Sequence, residues 1–107
     1  MVLGTATSVN GVQIRLTQER WDHIIKTHQE IDPNDFKEFM KVINNPEFIL
    51  KGAKRELLAV QKVPRKKLWI VVPYKEITKQ DGFMLTAYFT SDLTWLFKKE
   101  IIWSKGS

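Results

Sequence analysis

Lys67-Leu68-Trp69-Ile70-Val71-Val72-Pro73-Tyr74 is the stretch on which the fold turns. Its core, Leu68 to Val72, is apolar without a break and rich in β-branched and aromatic residues. It is too short for a core helix and reads as the central strand of a sheet. Three further strand-like runs lie around it: Phe48 to Leu50, Glu56 to Lys62, and Gly82 to Thr90. Between the runs stand Lys51-Gly52-Ala53, Pro64-Arg65-Lys66 and Gln80-Asp81-Gly82, all with turn chemistry. Connections this short predict antiparallel neighbours, because parallel strands need crossovers of about a dozen residues.

Upstream the period changes to that of helices. Thr17 is a good N-cap, and Gln18 to His28 places Trp21, Ile24, Ile25 and His28 on one stripe. Asp32 followed by Pro33 announces a second helix, with Phe36, Phe39, Met40 and Ile43 as its apolar face. Asn44-Asn45-Pro46 ends it, since the residue before proline is pushed out of the α region. Val9 to Leu16 reads as a short strand ahead of the helices, and Leu93 to Trp103 fits either a short helix or an edge strand. The expected class is therefore α+β, with two N-terminal helices packed on one face of an antiparallel sheet of about four strands.

The 107 residues suit one domain, 1–107, with room for one core. The closing Lys105-Gly106-Ser107 has the composition of a cloning remnant. No cysteine is present, which excludes disulfides and thiolate metal sites. Met1 to Gly11 has neither a basic n-region nor an apolar h-region, and no apolar run approaches the roughly 20 residues of a membrane span. A cytoplasmic location without membrane association is the expectation. The formal charge of +5 draws the chain to polyanions, with nucleic acid and anionic membrane the natural candidates.

Histidine occurs twice, at His23 and His28. Five residues on an α-helix turn through about 500°, so the two imidazoles point in different directions and do not share a metal ion. No metal and no cofactor are expected. Either histidine could carry a proton near neutral pH, and either could equally be a packing or capping residue. Among the many basic residues, Arg55 and Lys62 are read as lying in or at the edge of a strand, where a cation is held in place for a phosphate. Strict alternation along Phe83 to Ser91 puts the hydroxyls of Thr86, Tyr88 and Thr90 on one face, opposite Leu85, Ala87 and Phe89.

The order of these features resembles the phage-associated branch of the barnase–EndoU–colicin–RelE (BECR) nuclease superfamily. The residues that carry it are Leu16-Thr17, then Glu19-Arg20-Trp21-Asp22-His23-Ile24, His28 and Glu30. Asn45-Pro46-Glu47 and Leu85-Thr86-Ala87-Tyr88 follow. Gln29 departs from the pattern, which has proline there. The resemblance implies a BECR-like fold and a metal-independent endoribonuclease of toxin or phage-conflict type, cleaving by 2′-hydroxyl attack. It assigns His23 and His28, with His23 slightly preferred, together with Arg55, Lys62, Thr86 and Tyr88 to catalysis. Lys67, Lys75 and Thr90 are the expected substrate contacts. An acidic antitoxin or immunity protein is the expected partner. A non-catalytic RNA- or protein-binding module of similar fold is the alternative; a small-molecule enzyme is the weakest reading, since no glycine-rich phosphate loop is present.

Overall fold

The computed structural model describes residues 1–106. The chain opens with a hairpin of β1 (Val2–Thr7) and β2 (Gln13–Thr17), followed by α1 (Gln18–Thr27) and α2 (Phe36–Asn44). Then come β3 (Phe48–Lys51), β4 (Leu57–Lys62), β5 (Trp69–Glu76), β6 (Asp81–Met84) and β7 (Tyr88–Thr90). The short α3 (Leu93–Leu96) and β8 (Ile101–Ser104) complete it. Among the described residues the eight strands form one sheet in the order β1-β2-β6-β5-β4-β3-β8, with β7 also paired to β5.

This corrects the expected class in four respects. The chain begins with a two-stranded hairpin rather than the single strand expected ahead of the helices, and among the described residues the sheet has eight strands rather than about four. The sheet is mixed, because β2 runs parallel to β6 with Ile14 opposite Gly82. Finally, α1 and α2 cover one face, but a third helix, α3, covers the other. Ile14, Ile49, Ala59, Val72, Tyr74 and Met84 point to the core under α1 and α2, whereas Leu50, Leu58, Val60 and Val71 pack with Leu96 of α3 on the other.

The apolar stretch is β5, and its centrality follows from burial on both sides: Val71 faces α3 while Val72 faces the two larger helices. Of the hairpin β1–β2, only β1 lacks a strand signature, because Val2-Leu3-Gly4-Thr5-Ala6-Thr7 includes small residues of low strand preference. What holds it is tertiary. The buried Ser8 hydroxyl donates to Glu76 Oε2 at 2.5 Å and accepts the Val12 amide at 3.2 Å, latching the hairpin turn to the end of β5.

Several local readings shift with this framework. Asp32 does not cap a helix: its Oδ1 accepts the Asn34 amide at 2.8 Å in a turn, and α2 starts at Phe36. The segment Leu93 to Trp103 divides into α3 and the edge strand β8, satisfying both alternatives in turn. Lys105 continues that ladder by donating its amide to the Glu47 carbonyl at 2.9 Å; Ser107 lies outside the described residues. Among the described residues no helix is long and apolar enough to cross a membrane.

Gly82 is the point where β6 is squeezed between β5 and β2. A Cβ there would lie 2.1 Å from the Lys75 carbonyl oxygen and 2.8 Å from Ile14 Cδ1. Backbone cannot give way by that much without separating the strands. Gly82→Ala is therefore expected to cost about 3 kcal/mol or more, above the usual range for overpacking, with the denaturation midpoint as the readout.

Candidate functional site

The site forms where β6 and β7 fail to make one continuous strand. Against β5, Met84 pairs with Tyr74 but Tyr88 pairs with Val71, so one extra residue is accommodated between them. Leu85 still donates its amide to Pro73 O at 2.9 Å, which places Thr86 and Ala87 together opposite Val72. This is a β-bulge, a device that re-aims side chains locally. Strict alternation put Leu85 on the face away from Thr86 and Tyr88. With the bulge, Leu85, Thr86 and Tyr88 all line one cavity of about 240 Å3, together with Glu56, Trp95 and Lys99.

His28, from the end of α1, approaches the Tyr88 ring without itself lining the cavity. Its backbone caps the helix, the amide donating to Ile24 O at 2.8 Å, and its own carbonyl accepts the Ile31 amide at 3.0 Å. Ile31 is buried, and the Trp21 indole donates to Pro33 O at 2.9 Å, so the chain after the helix is pinned at two points. The imidazole lies with its centroid 6.1 Å from that of Tyr88, the planes inclined by 28°. Glu30 Oε1 stands 3.5 Å from His28 Nδ1.

Tyr88 is thus shared by two groups of residues. On the cavity side its ring lies 6.3 Å from that of Trp95, over which the Lys99 ammonium sits at 4.9 Å. Burial pushes the Tyr88 phenol above the ordinary tyrosine range, and the Glu56 carboxylate adds in the same direction. The phenol therefore stays a protonated donor throughout the neutral range.

Of the residues singled out from sequence, Thr86 and Tyr88 line this cavity, and His28 packs beside Tyr88. His23 does not; it is exposed in a shallow depression with Thr17, Glu19 and Arg20. Arg55 is not in a strand but in the β3–β4 turn, at φ 69° and exposed, one residue before Glu56. Lys62 ends β4 opposite Trp69, separated from Arg55 by the whole strand, roughly 17 Å. Lys67 is exposed in the β4–β5 connection, and Lys75 pairs with Phe83 farther along β5. The Thr90 hydroxyl is occupied as an acceptor for the Asp92 amide at 3.1 Å, which starts α3. Glu56, Trp95 and Lys99 were missed: Glu56 read only as the start of a strand, and the other two fell in the ambiguous segment. Among the described residues, no group of three or more His, Asp and Glu side chains is arranged to hold a metal ion.

No protein-family model matches the chain, and no curated protein or solved structure shows significant similarity to it.

The two tyrosines of the chain, Tyr74 and Tyr88, provide a check on this geometry. Tyr74 is fully buried, its hydroxyl has no hydrogen-bond partner among the described residues, and burial with Glu76 nearby raises its pKa strongly. Both folded pKa values lie above the ordinary 10.0. The stability this contributes is complete below pH 10 and is lost as the pH rises further, because the unfolded phenols ionise first. Ultraviolet titration at pH 10.0 should show less tyrosinate in the native protein than in urea, where the two phenols are half ionised, with Tyr74 contributing almost none. Tyr74→Phe should stabilise by about 1 kcal/mol, by removing an unsatisfied buried hydroxyl, and should flatten the alkaline decline.

Proposed function

We propose that the chain is an endoribonuclease that cleaves RNA through its own side chains, by 2′-hydroxyl attack. The observation that carries this reading is the approach of His28 to Tyr88, with Thr86 in the adjoining cavity. The helix-one motif and the Leu85-Thr86-Ala87-Tyr88 motif, which together carry the resemblance to the BECR nucleases, are far apart in sequence; Tyr88 joins them, with His28 beside its ring and Thr86 in the same cavity.

The reaction needs a base, an acid and donors around the phosphate. In the proposed sequence a base takes the proton of the ribose 2′-hydroxyl. The 2′-oxygen bonds to phosphorus, the bond from phosphorus to the 5′-oxygen breaks, and the leaving oxygen takes a proton from the acid. The products are a 2′,3′-cyclic phosphate and a free 5′-hydroxyl. Glu56 and His28 lie beside Tyr88, and we assign them the proton transfers, carboxylate as base and imidazole as acid. The Thr86 and Tyr88 hydroxyls donate to non-bridging oxygens. Lys99 and Arg55 supply charge at the rim. His23 and Lys62, distant from this point, have no part in the assignment.

Incubation of total RNA with purified protein in EDTA, followed by mapping of the ends, is the direct test. His28→Ala should lower the rate by about 10²–10⁴-fold, the usual worth of a positioned proton carrier. His23→Ala should stay within a few-fold of the parent. Recovery of intact RNA that nevertheless binds would favour the non-catalytic module instead, and equal losses from the two histidines would sink the assignment of roles.

A further inference from the structure

The α3–β8 connection and the β3–β4 turn lie side by side. The Lys51 amide at the end of β3 donates to Glu100 O at 2.9 Å. This contact brings Lys51, Lys54 and Arg55 to the same end of the sheet as Lys98 and Lys99, although the two groups are distant in sequence. Among the described residues none of the five forms an ion pair; those present join Arg15 to Asp81 and Lys41 to Glu38, and Glu30 approaches the His28 ring. Unpaired cations gathered on a rim lower the free energy of a bound polyanion, through release of its counterions.

Inside that rim is the 240 Å3 cavity, smaller than the roughly 300–1,000 Å3 of ordinary small-molecule sites. One of its walls is the Trp95 indole. Trp95 is 43% exposed, on a helix whose next residue, Leu96, is fully buried and fastens it to the sheet. A large exposed aromatic on a buried anchor, with an ammonium group over its ring, is a stacking surface for a planar heterocycle with a phosphate beside it.

We infer that this cavity is a nucleobase subsite for single-stranded RNA, with Trp95 as the stacking residue and the five cations as the phosphate track. The inference rests on the ribonuclease reading and names the form of substrate it takes. A cavity this small admits one base. In an A-form duplex the bases are stacked on each other and turned away from a protein side chain, whereas an unpaired base can be splayed out onto an aromatic ring. Placed there, the base sets the register of its strand relative to Tyr88 and His28.

The test uses a short labelled 2′-O-methyl oligonucleotide, which has no free 2′-hydroxyl and so reports binding whether or not the protein cuts. The parent protein should bind the single strand with quenching of tryptophan emission, and bind the matching duplex at least tenfold more weakly. Trp95→Ala should weaken strand binding by about tenfold or more, and Trp95→Phe should restore most of it. Lys99→Gln should lower the slope of log affinity against log salt by about 0.7, one single-strand phosphate contact. Equal binding of strand and duplex, or unchanged strand binding in Trp95→Ala with its circular dichroism intact, would overturn the subsite. If Trp95→Ala fails to fold, the unchanged salt slope of Lys99→Gln serves as the overturning result. Strand binding that depends on Trp95 while RNA survives intact would defeat the ribonuclease reading and leave the subsite standing. RNA cleavage indifferent to Trp95→Ala would do the reverse.

Discussion

The extra residue between Leu85 and Tyr88 is the constraint on which the site depends. β5 pairs with β6 in one register and with β7 in another, and the two differ by one position. Since side chains alternate with a period of two, a slip of one residue exchanges the faces of everything beyond it. Met84 and Ala87 can then both serve the core under α1 and α2, while Leu85 and Tyr88 both serve the opposite face. Thr86, as the additional residue, belongs to no regular pair and is free to line the cavity.

The sheet tolerates this break because it is covered on both sides. The larger core holds Trp21, Phe39 and Met84 beneath α1 and α2, and the smaller one is closed by Leu96 and Phe97. Neither α1 at ten residues nor α2 at nine is long enough to be stable alone in water. Their stability comes from packed aromatics, with the Trp21 ring edge-on to Phe36 at 6.2 Å and tilted against Phe39 at 5.8 Å. On the other side Phe48, Trp69 and Phe97 form a mutual cluster at 5.2–6.0 Å. These contacts hold α3, and with it Trp95, at a fixed height above the sheet.

Charge plays a secondary part in the fold. The Arg15–Asp81 pair joins β2 to β6 with two hydrogen bonds of 2.8 and 2.9 Å, but both side chains are about half exposed, so its worth is at most about 1 kcal/mol. The basic residues matter more for where they are left. Those on the β3–β4 turn and the α3–β8 connection share one end of the molecule, while Lys62 and Lys67 occupy the other. A net charge of +5 is therefore less informative than its division between the two ends.

The amino-acid sequence by itself determined the local elements wherever pattern and caps agreed: α1 to within one residue, the apolar stripe of α2, and β3, β4 and the central β5. It also singled out His23, His28, Arg55, Lys62, Thr86 and Tyr88 as candidates, of which His28 packs beside Tyr88 and Thr86 shares a cavity with it. It could not show β1 of the opening hairpin, because that segment includes small residues whose strand state depends on Ser8, Glu76 and the neighbouring β2. Nor could it show the parallel β2–β6 pair, a contact between distant segments, or the second covered face. For the site, alternation misjudged Leu85 because a bulge leaves no trace in a period of two. His23 and His28 were near equals in one dimension. Only the tertiary structure separated them, since the helix ends at His28 and Trp21 and Ile31 hold the following chain, which leaves one imidazole against Tyr88 and the other in solvent.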